Sequence, residues 1–226
     1  MPDNPRPRQI VTTSDQALAA RCARGRILVI DDDAEILTAF GFLFTLEGYA
    51  CETYSSAPAF LAVLHENRPQ FPGPCCLLCD VSMPEMDGLE LQRQLAQDEN
   101  TPLILISGSS GAEEAVTGLH AGALDFLIKP IETEALLAVV ARALAVDRQG
   151  QLDRMRRANL TARLATLTER ERAVLRRVAQ GQTNYEISQD IAIAERTVKL
   201  YRQRAMEKLG VATLPELVRI VDEFIY

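Results

Sequence analysis

The chain has 226 residues, 47% of them hydrophobic and 24% charged, a length that suits two modest domains and a composition that excludes a disordered or collagen-like chain. Its net charge of −7 divides unevenly: residues 1 to 145 hold nine Lys and Arg against 20 Asp and Glu, whereas residues 146 to 226 hold 15 against 11. An acidic front and a basic back exclude a uniformly polyanion-binding chain and leave the back half as the candidate for nucleic acid.

Residues 1 to 25 have no basic start leading into a sustained apolar run, so they do not read as a secretory signal. They form an N-terminal extension, either flexible or folded over Asp15 to Arg24 into an additional helix packed on the front domain. Five cysteines, an odd number, fit a reducing compartment, and a cytoplasmic location is expected. From Arg26 short apolar runs alternate with helical patterns. Strands are expected at Ile27 to Ile30, Tyr49 to Tyr54, Cys75 to Cys79, Leu103 to Ile106 and Phe126 to Ile128. Helices are expected at Ala34 to Leu46, Ala57 to His65, 87 to 98, 112 to 121 and 132 to 145. Near-continuous apolar strands separated by helices predict an α/β domain over 26 to 146, a doubly wound five-stranded parallel sheet.

The most apolar helical run, Ala135 to Val146, contains Arg142 and falls short of the roughly 20 apolar residues that span a bilayer, so no membrane anchor is expected. Residues 147 to 160, rich in Arg, Gln and Asp and interrupted by Gly150, read as a linker compatible with a helix but not with a long coiled coil. Residues 161 to 226 form the second domain, all-α, with four helices at 168 to 179, 184 to 190, 195 to 209 and 214 to 224. Thr168 with Glu171 three residues on makes a capping-box pattern, and Gly181 and Gly210 stand at helix stops.

In a doubly wound sheet the ligand crevice lies at the carboxyl ends of the strands. Here strand one runs into Asp31-Asp32-Asp33, strand three into Asp80, strand four into Ser107 and strand five into Lys129-Pro130. Converging carboxylates need a cation among them, and a few hard oxygen ligands suit Mg²⁺. A lysine beside them can pair with a phosphoryl group and a hydroxyl can hydrogen-bond it. The chemistry that uses such a set is phosphoryl transfer onto a carboxylate, with Asp80 as candidate nucleophile. Asp33 fits a helix cap as well as a direct role.

The segments VIDDD, CDVSMPEMDG, LISGSSG and DFLIKP resemble the receiver domain of two-component response regulators. The resemblance implies that Asp80 is the phosphoacceptor, that Asp31 and Asp32 are the acidic pair, and that Asp32 is the direct Mg²⁺ (or Mn²⁺) ligand while Asp31 holds a metal water. It further implies that Ser82 offers its backbone carbonyl to the metal, that Ser107 is the switch hydroxyl, that Lys129 pairs with phosphate before a cis Pro130, and that Phe126 is the switch aromatic. Read without the family, Phe126 is equally an ordinary core aromatic. Cys76 and Cys79 fall on opposite faces of a strand, which disfavours a shared metal, and small buried thiols are expected instead.

In the basic tail, Thr183 to Asp190, a turn at Ile191 to Ala194 and Glu195 to Leu209 have the layout of a helix-turn-helix. Ile187, Ile191, Val198 and Leu209 can bury one face, leaving basic side chains for a duplex. The words Thr168 to Leu175, Asn184 to Ile187, Thr197 to Lys199 and Lys208 to Val211 resemble the LuxR-type (NarL/FixJ) DNA-binding domain. That resemblance implies that Lys199, Leu200 and Gln203 probe the groove while Arg196, Thr197 and Lys208 lie nearer phosphates. Tyr185 and Tyr201 depart from the lysine and histidine usual in that family.

Together these readings predict a DNA-binding response regulator. It would be phosphorylated on Asp80 by a sensor histidine kinase, dimerise on activation and bind double-stranded promoter DNA. It would not be an enzyme beyond phosphoryl transfer to its own Asp80 and its hydrolysis. A DNA-binding regulator whose front domain is a phosphorylation-independent interaction module is the alternative. An aspartate-dependent phosphatase is disfavoured, because Asp80-Val-Ser82 lacks a second Asp two residues on.

Overall fold

A computed structural model describes residues 24–66, 73–95, 101–108 and 112–224. The extension, including the helix expected from Asp15, lies outside the described residues except at its end. The chain divides into two compact units, residues 1–151 and 152–226.

In the first unit the parallel sheet comprises β1 (Arg26–Ile30), β2 (Ala50–Tyr54), β3 (Cys75–Asp80), β4 (Leu103–Ser107) and β5 (Asp125–Ile128) in the order β2-β1-β3-β4-β5. The helices are α1 (Ala34–Leu46), α2 (Ala57–Glu66), α3 (Gly88–Leu95), α4 (Ala112–His120) and α5 (Thr133–Ala165). Between Arg26 at the start of β1 and the polar ends Asp80 of β3 and Ser107 of β4, the three inner strands are apolar because both faces are covered. Leu28, Ile30, Leu77, Cys79 and Leu105 pack with Phe60 of α2 and Leu91 of α3 on one face. Ile27, Val29, Cys76, Leu78 and Ile104 pack with Phe44 of α1 and Val140 of α5 on the other. This is the doubly wound arrangement expected from the alternation of strands and helices. Cys76 and Cys79 indeed enter opposite cores, and burial holds both thiols protonated by raising their pKa.

Helix α5 continues to Ala165, so residues 147 to 160 are helical and Gly150 does not break them. Within the first unit, the buried Asp147 carboxylate accepts hydrogen bonds from the Cys75 backbone N–H at 2.8 Å and from Gln151 Nε2 at 2.7 Å, and Gln151 Nε2 also donates to the Gly73 carbonyl at 2.9 Å. The start of β3 is thereby fastened to α5. Truncation would leave a buried donor unpaired, so Asp147→Ala is expected to lower stability by about 2 kcal/mol, and Asp147→Asn, which still offers an acceptor, by less. Urea unfolding of the two variants beside the parent chain measures the difference.

The second unit holds the end of α5 with α6 (Glu169–Ala179), α7 (Asn184–Asp190), α8 (Glu195–Leu209) and α9 (Leu214–Phe224). Its core gathers Leu164, Val174, Leu175, Ile187, Val198 and Leu217, among others. Thr168 with Glu171 and Thr183 with Glu186 both form complete capping boxes, which start α6 and α7.

Candidate functional site

The parallel register brings four strand ends side by side. Ile30 lies opposite Cys79, which sets Asp31 beside Asp80; Asp80 lies opposite Ile106, and Ser107 opposite Ile128. Backbone bonds extend the row past the strands, from Val81 N to Ile106 O at 2.8 Å and from Lys129 N to Ser107 O at 2.8 Å. Asp31, Asp80 and Ser107 are buried, at 2%, 5% and 0% exposure. Lys129, followed by a cis peptide to Pro130, reaches across them. Its Nζ lies 2.6 Å from Asp80 Oδ1 and 3.0 Å from Asp31 Oδ2. Asp80 Oδ2 accepts the Ser82 N–H at 2.7 Å, and Asp31 Oδ1 accepts the Asp33 N–H at 2.9 Å.

One ammonium between two buried carboxylates leaves the cluster with a surplus negative charge. Burial raises the pKa of Asp31 and prevails over the stabilising Asp33 N–H and Lys129 contacts. For Lys129 burial acts downward, but the hydrogen bonds and charges of Asp80 and Asp31 outweigh it and raise the pKa, so the ammonium persists at neutral pH.

The three consecutive aspartates part company. Asp31 joins the lysine, Asp33 caps α1 by accepting the Glu35 and Ile36 N–H groups, and Asp32 is exposed. Among the described residues no three His, Cys, Asp or Glu side chains group as a metal site. The Asp31 and Asp80 carboxylates are the hard-oxygen groups in contact with Lys129. Such a set fits a cation that keeps most of its waters, as Mg²⁺ does, and not one that needs a full protein cage. Phe126 is half-buried against the α2–α3 core. Gly88, outside the expected site residues, shapes the loop after Asp80. A Cβ there would lie 2.4 Å from the Asp80 carbonyl oxygen, so only glycine lets the loop fold back to place Gly88 N 3.0 Å from Val81 O.

In the second unit α7, the turn and α8 form the expected helix-turn-helix, with Ile187, Val198 and Leu209 buried and Ile191 partly so. Arg196, Lys199, Leu200 and Gln203 are exposed on α8 and Thr197 is half-buried. Lys199 pairs with Glu195 at 3.0 Å and Gln203 Nε2 donates to Glu207 at 2.9 Å, both contacts along the helix surface. Lys208, expected near phosphates, is exposed and also pairs within the domain. Its Nζ meets Glu171 Oε2 at 2.6 Å and donates to the Thr166 carbonyl at 3.1 Å, because the nearly buried Glu171 needs a cation. Tyr185 is exposed, whereas Tyr201 is half-buried and packs against the core.

Comparison with known proteins assigns the same two parts. Residues 27–141 match the response regulator receiver domain, and residues 165–221 match the bacterial regulatory proteins of the luxR family. The chain is 36% identical over 198 residues to the response regulator protein TodT of Pseudomonas putida, spanning 87% of this chain and 85% of that one. It is 36% identical over 193 residues to the transcriptional regulatory protein FixJ of Rhizobium meliloti, spanning 85% and 92%. Among solved structures it matches the response regulator StyR at 32% identity with a TM-score of 0.77, covering 89% of this chain and 100% of the other. Full-length FixJ from B. japonicum matches at 33% identity with a TM-score of 0.54, covering 88% and 97%.

Proposed function

The chain belongs to the two-component response regulators that join a receiver domain to a LuxR-type DNA-binding domain, and we propose that it is switched by phosphorylation of Asp80. The observation that carries this reading is the Lys129 ammonium held between Asp80 and Asp31 at the strand ends. A carboxylate oxygen of Asp80 attacks the phosphorus of a sensor kinase's phosphohistidine; the P–N bond breaks, the imidazole leaves and takes up a proton, and an acyl phosphate forms. Attack of water on that phosphorus later releases inorganic phosphate and restores the carboxylate. Mg²⁺, or Mn²⁺ in its place, would be held by Asp80, by Asp32 directly, by Asp31 through water, and by the Ser82 carbonyl, and would neutralise charge on the phosphoryl oxygens.

Lys129 has two partners in the resting site and can give a hydrogen bond to the incoming phosphoryl oxygens without leaving Asp31. Ser107, buried at the end of β4 beside β3, turns its hydroxyl toward the new group, and Phe126 follows into the space so vacated. The face that changes is α4, β5 and α5. It carries exposed Val116 and Leu119 on α4 and Ile128 on β5, the apolar surface a second copy would cover on activation. Two copies then present two α8 helices to half-sites about one helical turn apart on promoter DNA, with Lys199, Leu200 and Gln203 at the bases and Arg196 and Thr197 at phosphates. Among the described residues no helix is long and apolar enough to cross a membrane.

The test uses a duplex that the chain itself enriches from a randomised pool. Acetyl phosphate with Mg²⁺ is expected to raise affinity for it by about tenfold or more, and EDTA to abolish the gain, as read by fluorescence anisotropy. Affinity indifferent to the phosphodonor would replace this reading with a regulator whose receiver works as a phosphorylation-independent interaction module.

A further inference from the structure

Lys208 belongs to a larger arrangement at the carboxyl end of α8. A helix end presents carbonyls without helical partners and a partial negative charge. Here the Leu209 carbonyl accepts a hydrogen bond from Arg163 Nη1, on α5, at 2.9 Å. Gly210 follows in the left-handed conformation with φ 69°, and a Cβ at that position would lie 2.2 Å from the same nitrogen. The left-handed backbone favours glycine there, and a side chain would have to displace the guanidinium. One residue before, Lys208 joins Glu171, whose carboxylate is also the α6 capping-box acceptor for the Thr168 N–H at 2.8 Å. Arg172 Nη2 donates to the Leu164 carbonyl at 3.1 Å, closing the corner between α5 and α6. At the opposite end of α8 the N-cap, Ala194, makes no side-chain hydrogen bond, and the buried Val198 seats the first turn by packing.

We propose that Arg163, together with the Lys208–Glu171 pair, is a positioning group for DNA recognition: it sets the orientation of α8 from its carboxyl end and does not itself touch DNA. This rests on the reading of α8 as the recognition helix. Residues 199 to 203 lie about 9 to 15 Å along the helix from Leu209, so a small rotation at the fastened end displaces the base-facing side chains. Arg163 is exposed, and its charge alone would equally suit a phosphate contact. The two roles differ in a measurable way. A phosphate contact adds to the salt dependence of binding on every duplex, whereas a positioning group changes selectivity and leaves the salt dependence alone.

The experiment compares full-length R163M and R163K with the parent chain on two labelled duplexes, the one the parent chain enriches from a randomised pool and a scrambled one of equal length, across a salt series. R163M is expected to lose about tenfold in affinity for the enriched duplex, with the scrambled duplex and the salt slope unchanged. R163K, which keeps a cation of shorter reach, is expected to lose about threefold and carries the same comparison should R163M fail to fold. A salt slope reduced by about one with both duplexes weakened alike would make Arg163 a phosphate contact and overturn the proposal. Selectivity unchanged well below the unfolding temperature would overturn it too, whether or not the melting temperature falls. K199A and Q203A run alongside. If neither weakens binding to the enriched duplex, the recognition-helix reading fails; if they do and R163M does not, only the positioning role fails.

Discussion

Asp80→Asn is expected to abolish incorporation of the phosphoryl group from acetyl phosphate, read as loss of the acyl-phosphate mobility shift, and with it the phosphodonor-dependent gain in DNA affinity. An amide cannot serve as the acceptor, so the loss is complete and not graded. The folded state should survive. Asp31, Asp80 and Lys129 carry one surplus negative charge in the parent chain, and the variant removes it. Asp80 is also one of the influences that raise the Asp31 pKa, after burial, so Asp31 ionises more easily once that neighbour is neutral. Against this, an asparagine presents one oxygen and one NH₂ where the carboxylate accepted both Lys129 Nζ and the Ser82 N–H. One of those donors must face the NH₂, a loss of about 1 kcal/mol that roughly offsets the electrostatic gain. Undiminished labelling of the variant would move the acceptor to another carboxylate.

The same balance explains which parts of the molecule were legible beforehand. The inner strands declare themselves because parallel strands buried on both faces read as near-continuous apolar runs, and the carboxyl ends are marked where those runs stop at Asp31, Asp80 and Ser107, as the edge strand β5 does before Lys129. Capping boxes at Thr168 and Thr183 are equally visible, since all their partners lie within three residues. What escapes is whatever depends on partners far along the chain. Lys208 reads as one more cation on a basic helix, and its pairing with Glu171, 37 residues earlier, is not visible from its neighbours in sequence. Asp147 reads as linker polarity, and its partner Cys75 lies 72 residues away. Helix α5 outruns its expected end at 145 because Gly150, costing about 1 kcal/mol in a helix, is surrounded by good helix formers and by the surface pair Arg156–Asp153. The run of three aspartates is a further case: composition cannot apportion cap, lysine partner and exposed side chain, which depend on the direction of the backbone as β1 enters α1.

Lys129→Met is expected to have the larger effect on the fold, and its pH dependence identifies the cause. Without the ammonium, Asp31 and Asp80 remain buried with no cation between them, a loss of about 3 kcal/mol at pH 7, and the rate of phosphorylation by acetyl phosphate falls by about 100-fold or more as a donor to the transferring oxygens disappears. Burial already lifts the Asp31 pKa above 3.8, and Lys129 is among the contacts that restrain it; in the variant it rises further. A carboxyl whose folded pKa is raised binds its proton more tightly in the folded chain than in the unfolded one. Its penalty is therefore full above the folded pKa and fades as the pH falls toward 3.8. The difference between variant and parent should thus shrink on acidification. On the alkaline side the sign reverses through the lysine. Its folded pKa is raised above 10.5, so the parent chain keeps that stabilisation below 10.5 and loses it as the pH rises through the folded value, a loss the methionine variant does not have. Urea midpoints of both chains at pH 5, at pH 7 and above pH 10.5 give the comparison, with the gap widest at pH 7. A gap of constant size across the three would assign the loss to packing of the lysine stem, and the charge cluster would no longer account for it.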